Sequence, residues 1–515
     1  MIEKTGFNKL TAGLFVIGAF VGLYFQLAYH KFLNNDTLAY INIAERYAEG
    51  DWQHAINGFW SPMYSWILCF CKLAGLPLLQ SCYIINFIVA ALGLFVLCHL
   101  ARRYLTQPLF YFAFSLYALL LMLFYAMSSL TPDLMAAIFC LWFLSLITDH
   151  RFTFNKKIPL LAGIAAACAY FSKLYSFVPV HLFLAGILLW TFIKKNESRS
   201  KQLIPIIQTY GVFILLASVW IAILSVHENK LVITTAGRFN HNYMSPDYGK
   251  GYPTNVSLYA PPFEKAYSAQ TNPAHLLDDF GWSPFSNGRN FLHQVNLIKN
   301  SIGELIINLD ATGAKWFVLI SSLLFLFINR KKMRLTYPSS IYQIALFFVC
   351  YPLLYLPLFI LDRYILTSII LFHLLLFFIA QLAWSFINKK VFLPVLALLL
   401  VVSVVPFVML GQRKLTRNSG EYRYYKSFYK QVPTLSFLQN QSIASDPWSM
   451  VEATQLCYYL NCRYYSTWAD DQYKSLKQFN IRFLISKSDL ASFSFLHVKE
   501  KMLLEKETVY IYEVQ

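Results

Sequence analysis

Five ionisable residues stand at the edges of long apolar runs: Asp36 in NNDTLAYINIAERYAEGDW, Asp133 at the end of SSLTPD, Lys173 in YFSKLYSF, and Asp362 and Arg363 in LDRYIL. A charge at such depth is costly and usually faces a bundle interior or a water-filled cavity. Four separate loops could therefore aim acids and bases at one shared cavity on one face of a membrane. Carboxylates there suit proton abstraction, and cations suit the holding of an anion.

Each residue also has a plain structural use. Asp36 is placed to N-cap a helix over 37–48, accepting a bond from a backbone N–H. Asp133 follows Pro132 at a helix start, where a carboxylate offsets the macrodipole. Lys173 and Arg363 can snorkel to an interface. His241, in RFNHNY, has no partner at metal-ligand spacing.

The elements that must position these residues are mostly apolar helices. Of 515 residues, 57% are hydrophobic, 17% aromatic and 13% charged, against roughly 25% charged in soluble domains. Blocks of about 20 apolar residues, enough to cross a hydrocarbon core of about 30 Å, define a polytopic α-helical membrane protein. About eleven transmembrane helices are expected, near 10–29, 82–101, 109–127, 133–148, 158–172, 176–193, 203–225, 315–329, 341–360, 365–387 and 391–410.

The net charge of +17 does not point to nucleic acid. The basic residues concentrate in short alternate loops: Lys4 and Lys9; Arg102 and Arg103; Arg151, Lys156 and Lys157; Lys194, Lys195, Arg199 and Lys201; Arg330, Lys331, Lys332 and Arg334; Lys389 and Lys390. That is the positive-inside pattern, and an odd number of spans leaves the C-terminus outside. No cleavable signal peptide is expected, because the first span is too long and no small-residue cleavage site follows it.

Two domains follow: a transmembrane domain over 1–415 with large outer loops at 30–80 and 226–314, and a soluble α/β domain over 416–515. In the second loop, Phe291, Val295, Ile298, Ile302 and Leu305 share one helical face, suited to the membrane interface or to a neighbouring outer helix. In the tail, SIASD, CRYYST, IRFLIS and VYIYEV read as strands, with WSMVEATQLCYYL and DQYKSLKQF as helices between them. A small, partly parallel sheet is expected, without a GxGxxG, P-loop or HExxH motif. Cys457 and Cys462 are candidates for a disulfide or for two free thiols.

DTLAYINIAERYAEGDW followed by GFWSPMYSWIL resembles the first outer loop of GT-C membrane glycosyltransferases, the superfamily of protein O-mannosyltransferases and aminoarabinose transferases. LTPDLMAAIF is similar to the family's second acidic site, AYFSKLYSF to its Leu-Thr-Lys-Gly stretch, and DRYILTSIIL to its late Arg-Tyr-Leu-Leu-Pro segment. The likeness spans roughly residues 8–410. WSPMYSW lacks the Glu-Lys pair of the aminoarabinose branch, and the late segment lacks its proline, so contacts made by those residues are not carried over.

The resemblance implies transfer of one sugar from a polyprenyl-phosphate donor to an acceptor on the outer face, with inversion. Asp36 would be the base, and Asp133 the second acidic residue, orienting Lys173, binding sugar hydroxyls or helping to hold a divalent cation. Lys173, Arg363, Arg238, Tyr64 and His241 are the candidate substrate-binding residues. The implied partners are the lipid-linked donor, a lipid, glycan or protein acceptor, and membrane lipids, without nucleic acid. The implied location is a bacterial inner membrane, with large loops and tail in the periplasm. A flippase or transporter for a lipid-linked sugar and a lipid-linked glycan ligase are the rival readings. The spans carry few charges in their middles and show no inverted repeat, unlike many transporters.

Overall fold

Long apolar helices dominate the protein. The computed structural model describes residues 12–22, 24, 34–193, 199–310, 313–328, 338, 340–384, 394, 397–405, 409, 423–505 and 507–515. Lys4, Lys9, Lys194, Lys195, Arg330, Lys331, Lys332, Arg334, Lys389 and Lys390 lie outside these residues, as do both ends of the first expected span and parts of 391–410.

Among the described residues, five helices are long and apolar enough to cross a membrane: Leu78–Tyr104, Pro108–Ser128, Leu174–Ile193, Gln202–His227 and Asp362–Ala383. A sixth span results if Gly288–Leu309 and Ala314–Ile328 count as one broken helix pair. Ala12–Gly22, Asp133–Ile147, Lys157–Ser172 and Ile341–Cys350 are shorter apolar helices. At 1.5 Å per residue, a helix of 15 residues such as Asp133–Ile147 covers only part of a hydrocarbon core. The helix expected over 341–360 stops at Cys350, two residues before Pro352, whose ring and missing N–H cannot continue it. Residues 351–358 form turns instead.

The described chain divides into two units, Met1–Ala28 with Tyr83–Ile223 and Asn287–Arg413, and Tyr29–Cys82 with Leu224–Ser286 and Lys414–Gln515. The tail is grouped with the two large outer loops in the second unit.

In the first unit the span Asp362–Ala383 is central, with 83% of its apolar window buried, whereas Gln202–His227 buries 28% and presents Leu215 and Val219 outward. Helix Asp133–Ile147 packs along Lys157–Ser172. Gly163 allows a close crossing, because a Cβ there would meet the Thr209 carbonyl oxygen at 2.7 Å. Small residues at such crossings let backbones approach. Just past the C-terminal end of Asp133–Ile147, Asp149 Oδ2 accepts from Arg103 Nη2 at 2.9 Å and from Arg151 Nη2 at 3.0 Å.

The helix Gly288–Leu309 is capped by Asn287, whose Oδ1 accepts from the Asn290 N–H at 2.9 Å. Gln294 and Ser301 donate to the carbonyls of Pro357 and Leu358. Phe291, Val295 and Ile302 stay exposed, so a polar face meets protein and an apolar face is left exposed.

In the second unit, helix Asn35–Ala48 is capped by Asn34 and not by Asp36: Asn34 Oδ1 accepts from the Thr37 N–H at 2.7 Å. Asp36 lies inside the first turn. Asn42 donates to the Lys265 carbonyl at 3.1 Å and accepts from Thr271 Oγ1 at 3.2 Å, and Glu45 accepts from Tyr267 at 2.7 Å. The first outer loop thus holds the second.

The tail forms a five-stranded sheet of β1 (Ser442–Ser445), β2 (Arg463–Thr467), β3 (Phe483–Ser486), β4 (Leu496–Leu504) and β5 (Glu507–Val514), in the order β2-β1-β3-β5-β4. β1 pairs parallel with β2 and β3, and β5 runs antiparallel to β3 and β4. Ala444, Trp468, Leu484 and Tyr512 centre the core. The open edge of β2 is covered by the large loop: Tyr464 N–H donates to the Tyr267 carbonyl at 2.8 Å, and Tyr259 N–H to the Tyr465 carbonyl at 2.9 Å. An uncovered edge would invite pairing with another chain. That backbone stitching is why loop and tail form one unit. Cys457 and Cys462 are both buried free thiols.

Candidate functional site

Asp133 is the first residue of its helix and is buried. Thr131, two residues earlier, turns its hydroxyl onto Asp133 Oδ2 at 2.6 Å and is itself bonded to Ser129 Oγ at 2.7 Å. Asp133 Oδ1 accepts from Lys173 Nζ. Lys173 sits in an extended break, φ −150° and ψ 109°, between helix Lys157–Ser172 and the 3-10 turn Leu174–Ser176. That break directs the ammonium across to the neighbouring helix start instead of along its own helix.

Arg363 comes from a third loop, with Nη1 3.9 Å from Asp133 Oδ2. Lys173 Nζ lies 4.0 Å from the Tyr364 ring centroid and Arg363 Cζ lies 5.2 Å from it, within cation–π range. Tyr364 stacks on Tyr355 at 5.3 Å, and Tyr355 on Tyr175 at 3.7 Å. Tyr175 donates to the Tyr351 carbonyl at 2.5 Å, while the buried Tyr355 hydroxyl has no hydrogen-bond partner. Asp362 Oδ2 accepts from the Tyr125 hydroxyl at 3.1 Å, and its Oδ1 from the Arg363 N–H at 2.8 Å.

Asp133, Lys173 and Arg363 therefore converge from three loops of the first unit. Lys173 and Arg363 keep 19% and 25% of their side-chain surface exposed, against 7% for Asp133. Two cations facing one carboxylate, rimmed by stacked tyrosines, can hold an anion with an apolar attachment. Surrounded by those cations, Asp133 is poorly disposed to bind a metal ion. Among the described residues, no three His, Cys, Asp or Glu side chains gather where they could hold one.

The other candidates belong to the second unit. Asp36 is half-buried on the first turn of its helix. Arg238 pairs with Asp278 at 3.1 Å and remains half exposed. His241 stacks on Trp282 at 4.6 Å, and Trp282 Nε1 donates to its carbonyl at 2.7 Å; burial holds the imidazole below its ordinary pKa. Tyr64 is wholly buried, edge-on to Tyr40 at 5.5 Å, with its hydroxyl donating to the Cys82 carbonyl at 3.4 Å. It packs inside the first outer loop. Tyr175, Tyr355 and Tyr364 were not singled out from sequence. In a chain with 34 tyrosines no spacing marks them.

This arrangement, a multi-span helical part followed by a C-terminal α/β domain, is the fold of the GT-C membrane glycosyltransferases. The chain is similar to ArnT from Cupriavidus metallidurans, determined with undecaprenyl phosphate bound, at 15% identity and a TM-score of 0.54, over 99% of this chain and 98% of that one. It is also similar to the oligosaccharyltransferase of Archaeoglobus fulgidus, at 10% identity and a TM-score of 0.52, over 93% of this chain and 69% of that one. The Archaeoglobus enzyme, AglB, has also been determined with an inhibitory peptide and a dolichol-phosphate. No family model and no curated protein matches the chain by sequence.

Proposed function

We propose that this protein is an inverting glycosyltransferase that moves a single sugar from a polyprenyl-phosphate donor to an acceptor at the outer face of a membrane. The observation that carries the reading is the convergence of Lys173 and Arg363 on Asp133 beside the tyrosine stack. Its fold neighbours include one protein with undecaprenyl phosphate and one with a dolichol-phosphate bound, which supports a lipid-phosphate ligand here.

In this reading Lys173 and Arg363 bind the donor phosphate, and Asp133 holds Lys173 in place. The acceptor hydroxyl attacks the anomeric carbon as the bond from that carbon to the phosphate oxygen breaks. Its proton passes to Asp36, and the lipid phosphate leaves with one more negative charge. Cations in a partly desolvated setting stabilise that charge far better than water does. A polyprenyl chain leaves the bilayer only at about 0.8 kcal/mol per CH₂, so the chemistry must come to the lipid. The sugar acceptor is a lipid, glycan or protein, and the setting proposed is a bacterial inner membrane with the second unit in the periplasm.

Asp36→Asn tests the base. With a labelled polyprenyl-phosphate sugar and membrane extract as acceptor source, sugar transfer should fall by about 10²- to 10⁴-fold at unchanged folded yield. Wild-type turnover in Asp36→Asn would remove Asp36 from the mechanism.

A further inference from the structure

The tail sheet carries a polar cleft, of about 570 Å³, lined by Trp448, Lys487, Asp489, Glu507, Thr508 and Tyr510. Its position follows from strand order. β1 and β3 are parallel neighbours; after β1 the chain crosses to β2 on one side, and after β2 it crosses to β3 on the other. The loops leaving β1 and β3 therefore part at their carboxyl ends, where open α/β sheets place ligands. Trp448 lies on the first of these loops, and Lys487 and Asp489 on the second. β5 runs antiparallel to β3, with Tyr510 opposite Ser486, so Glu507, Thr508 and Tyr510 reach the same edge.

The lining has a definite chemistry. Lys487 Nζ is 3.1 Å from Glu452 Oε1 and 3.1 Å from Glu507 Oε2, so its charge is already met by two carboxylates. Asp489 adds another acid, which disfavours a phosphate or carboxylate ligand. Glu452 is 1% exposed and its Oε2 has no hydrogen-bond partner. Trp448 is 75% exposed although its N–H is anchored to Asp446 Oδ1 at 3.0 Å. Thus a broad aromatic face stands beside acceptors that suit hydroxyl donors, in a volume typical of small-ligand sites.

We propose that this cleft binds a saccharide carrying no phosphate, with the indole of Trp448 against the sugar's C–H face and Glu507 and Asp489 accepting from its hydroxyls. The site belongs to the tail sheet and does not depend on the transfer reaction assigned to the other residues. The test uses the full-length protein in a detergent without sugar headgroups. Saturation-transfer NMR is run with the methyl glycosides of glucose, galactose, mannose and N-acetylglucosamine, one at a time. At least one should show saturable transfer to its ring C–H protons. Trp448→Ala should weaken that binding at least tenfold, and Glu507→Gln by a smaller factor, with thermal unfolding of Trp448→Ala unchanged. Three outcomes would overturn the proposal: no transfer to any glycoside at millimolar concentration, equal affinity in Trp448→Ala, or displacement of the bound glycoside by inorganic phosphate.

Discussion

The two ends of helix Asp133–Ile147 each present a carboxylate to two cations, yet the clusters are built to different plans. At Asp149 the partners are local or fastened. Arg151 is two residues away and bonds through its N–H and guanidinium at 2.8–3.1 Å, while Arg103 also donates to the Ser145 carbonyl at 2.5 Å. At Asp133 the cations arrive from two distant loops, and Arg363 stands at 3.9 Å, beyond hydrogen-bond distance of the carboxylate. There the cations also meet aromatic faces. The first arrangement is a brace. The second gathers its cations from separate loops beside aromatic rings.

Removing both cations at the Asp133 end should have the largest effect. Lys173→Ala combined with Arg363→Ala is expected to lower donor-dependent transfer by about 10³-fold or more, since one electrostatic donor in such a site is worth about 10²–10³. Equilibrium binding of labelled polyprenyl phosphate should weaken in parallel, and unchanged affinity would end the phosphate role.

Asp133→Asn should come next, and on two readouts. It leaves two cations facing each other without their carboxylate, an imbalance worth about 3 kcal/mol where the pair is buried. Thermal unfolding in detergent should shift down, and transfer should fall through misplacement of Lys173. A variant with wild-type turnover would show that Asp133 does not position that lysine.

The smallest effect is predicted at the other end. Burial alone would raise the Asp149 carboxyl, but hydrogen bonds from Arg151 and the charges of Arg103 and Arg151 hold it at about 2. A depressed carboxyl stabilises the fold above its ordinary pKa near 4 and loses that contribution as pH falls through about 2. Asp149→Asn should cost about 1–2 kcal/mol at pH 7 after solvent screening, with turnover per folded molecule unchanged. The difference from wild type should shrink on acidification, measured by pH-dependent denaturation. Loss of turnover at full stability would erase the contrast between the two ends.

Much of the candidate site was legible in sequence because ionisable residues are conspicuous beside apolar runs. Asp133, Lys173 and Arg363 stood out in that way, and they meet. Asn34, not Asp36, caps the first outer helix, because two good capping residues lay two positions apart and local preference could not separate them. Strand β4 was missed: His497, Lys499, Glu500 and Lys501 fill its middle, so an edge strand protected by charge carries little apolar alternation. The region 341–360 is one apolar run, yet its helix ends at Cys350, before Pro352.

By itself the sequence determined the membrane class, most helix positions and the partly parallel character of the tail sheet. Those depend on hydropathy and periodicity, which are properties of neighbouring residues. Only the tertiary structure decided that Lys173 and Arg363 share one carboxylate, that three tyrosines stack beside them, and that the tail joins two distant loops in one unit. Such pairings depend on loop geometry and on backbone bonds between residues hundreds of positions apart, which no local pattern encodes.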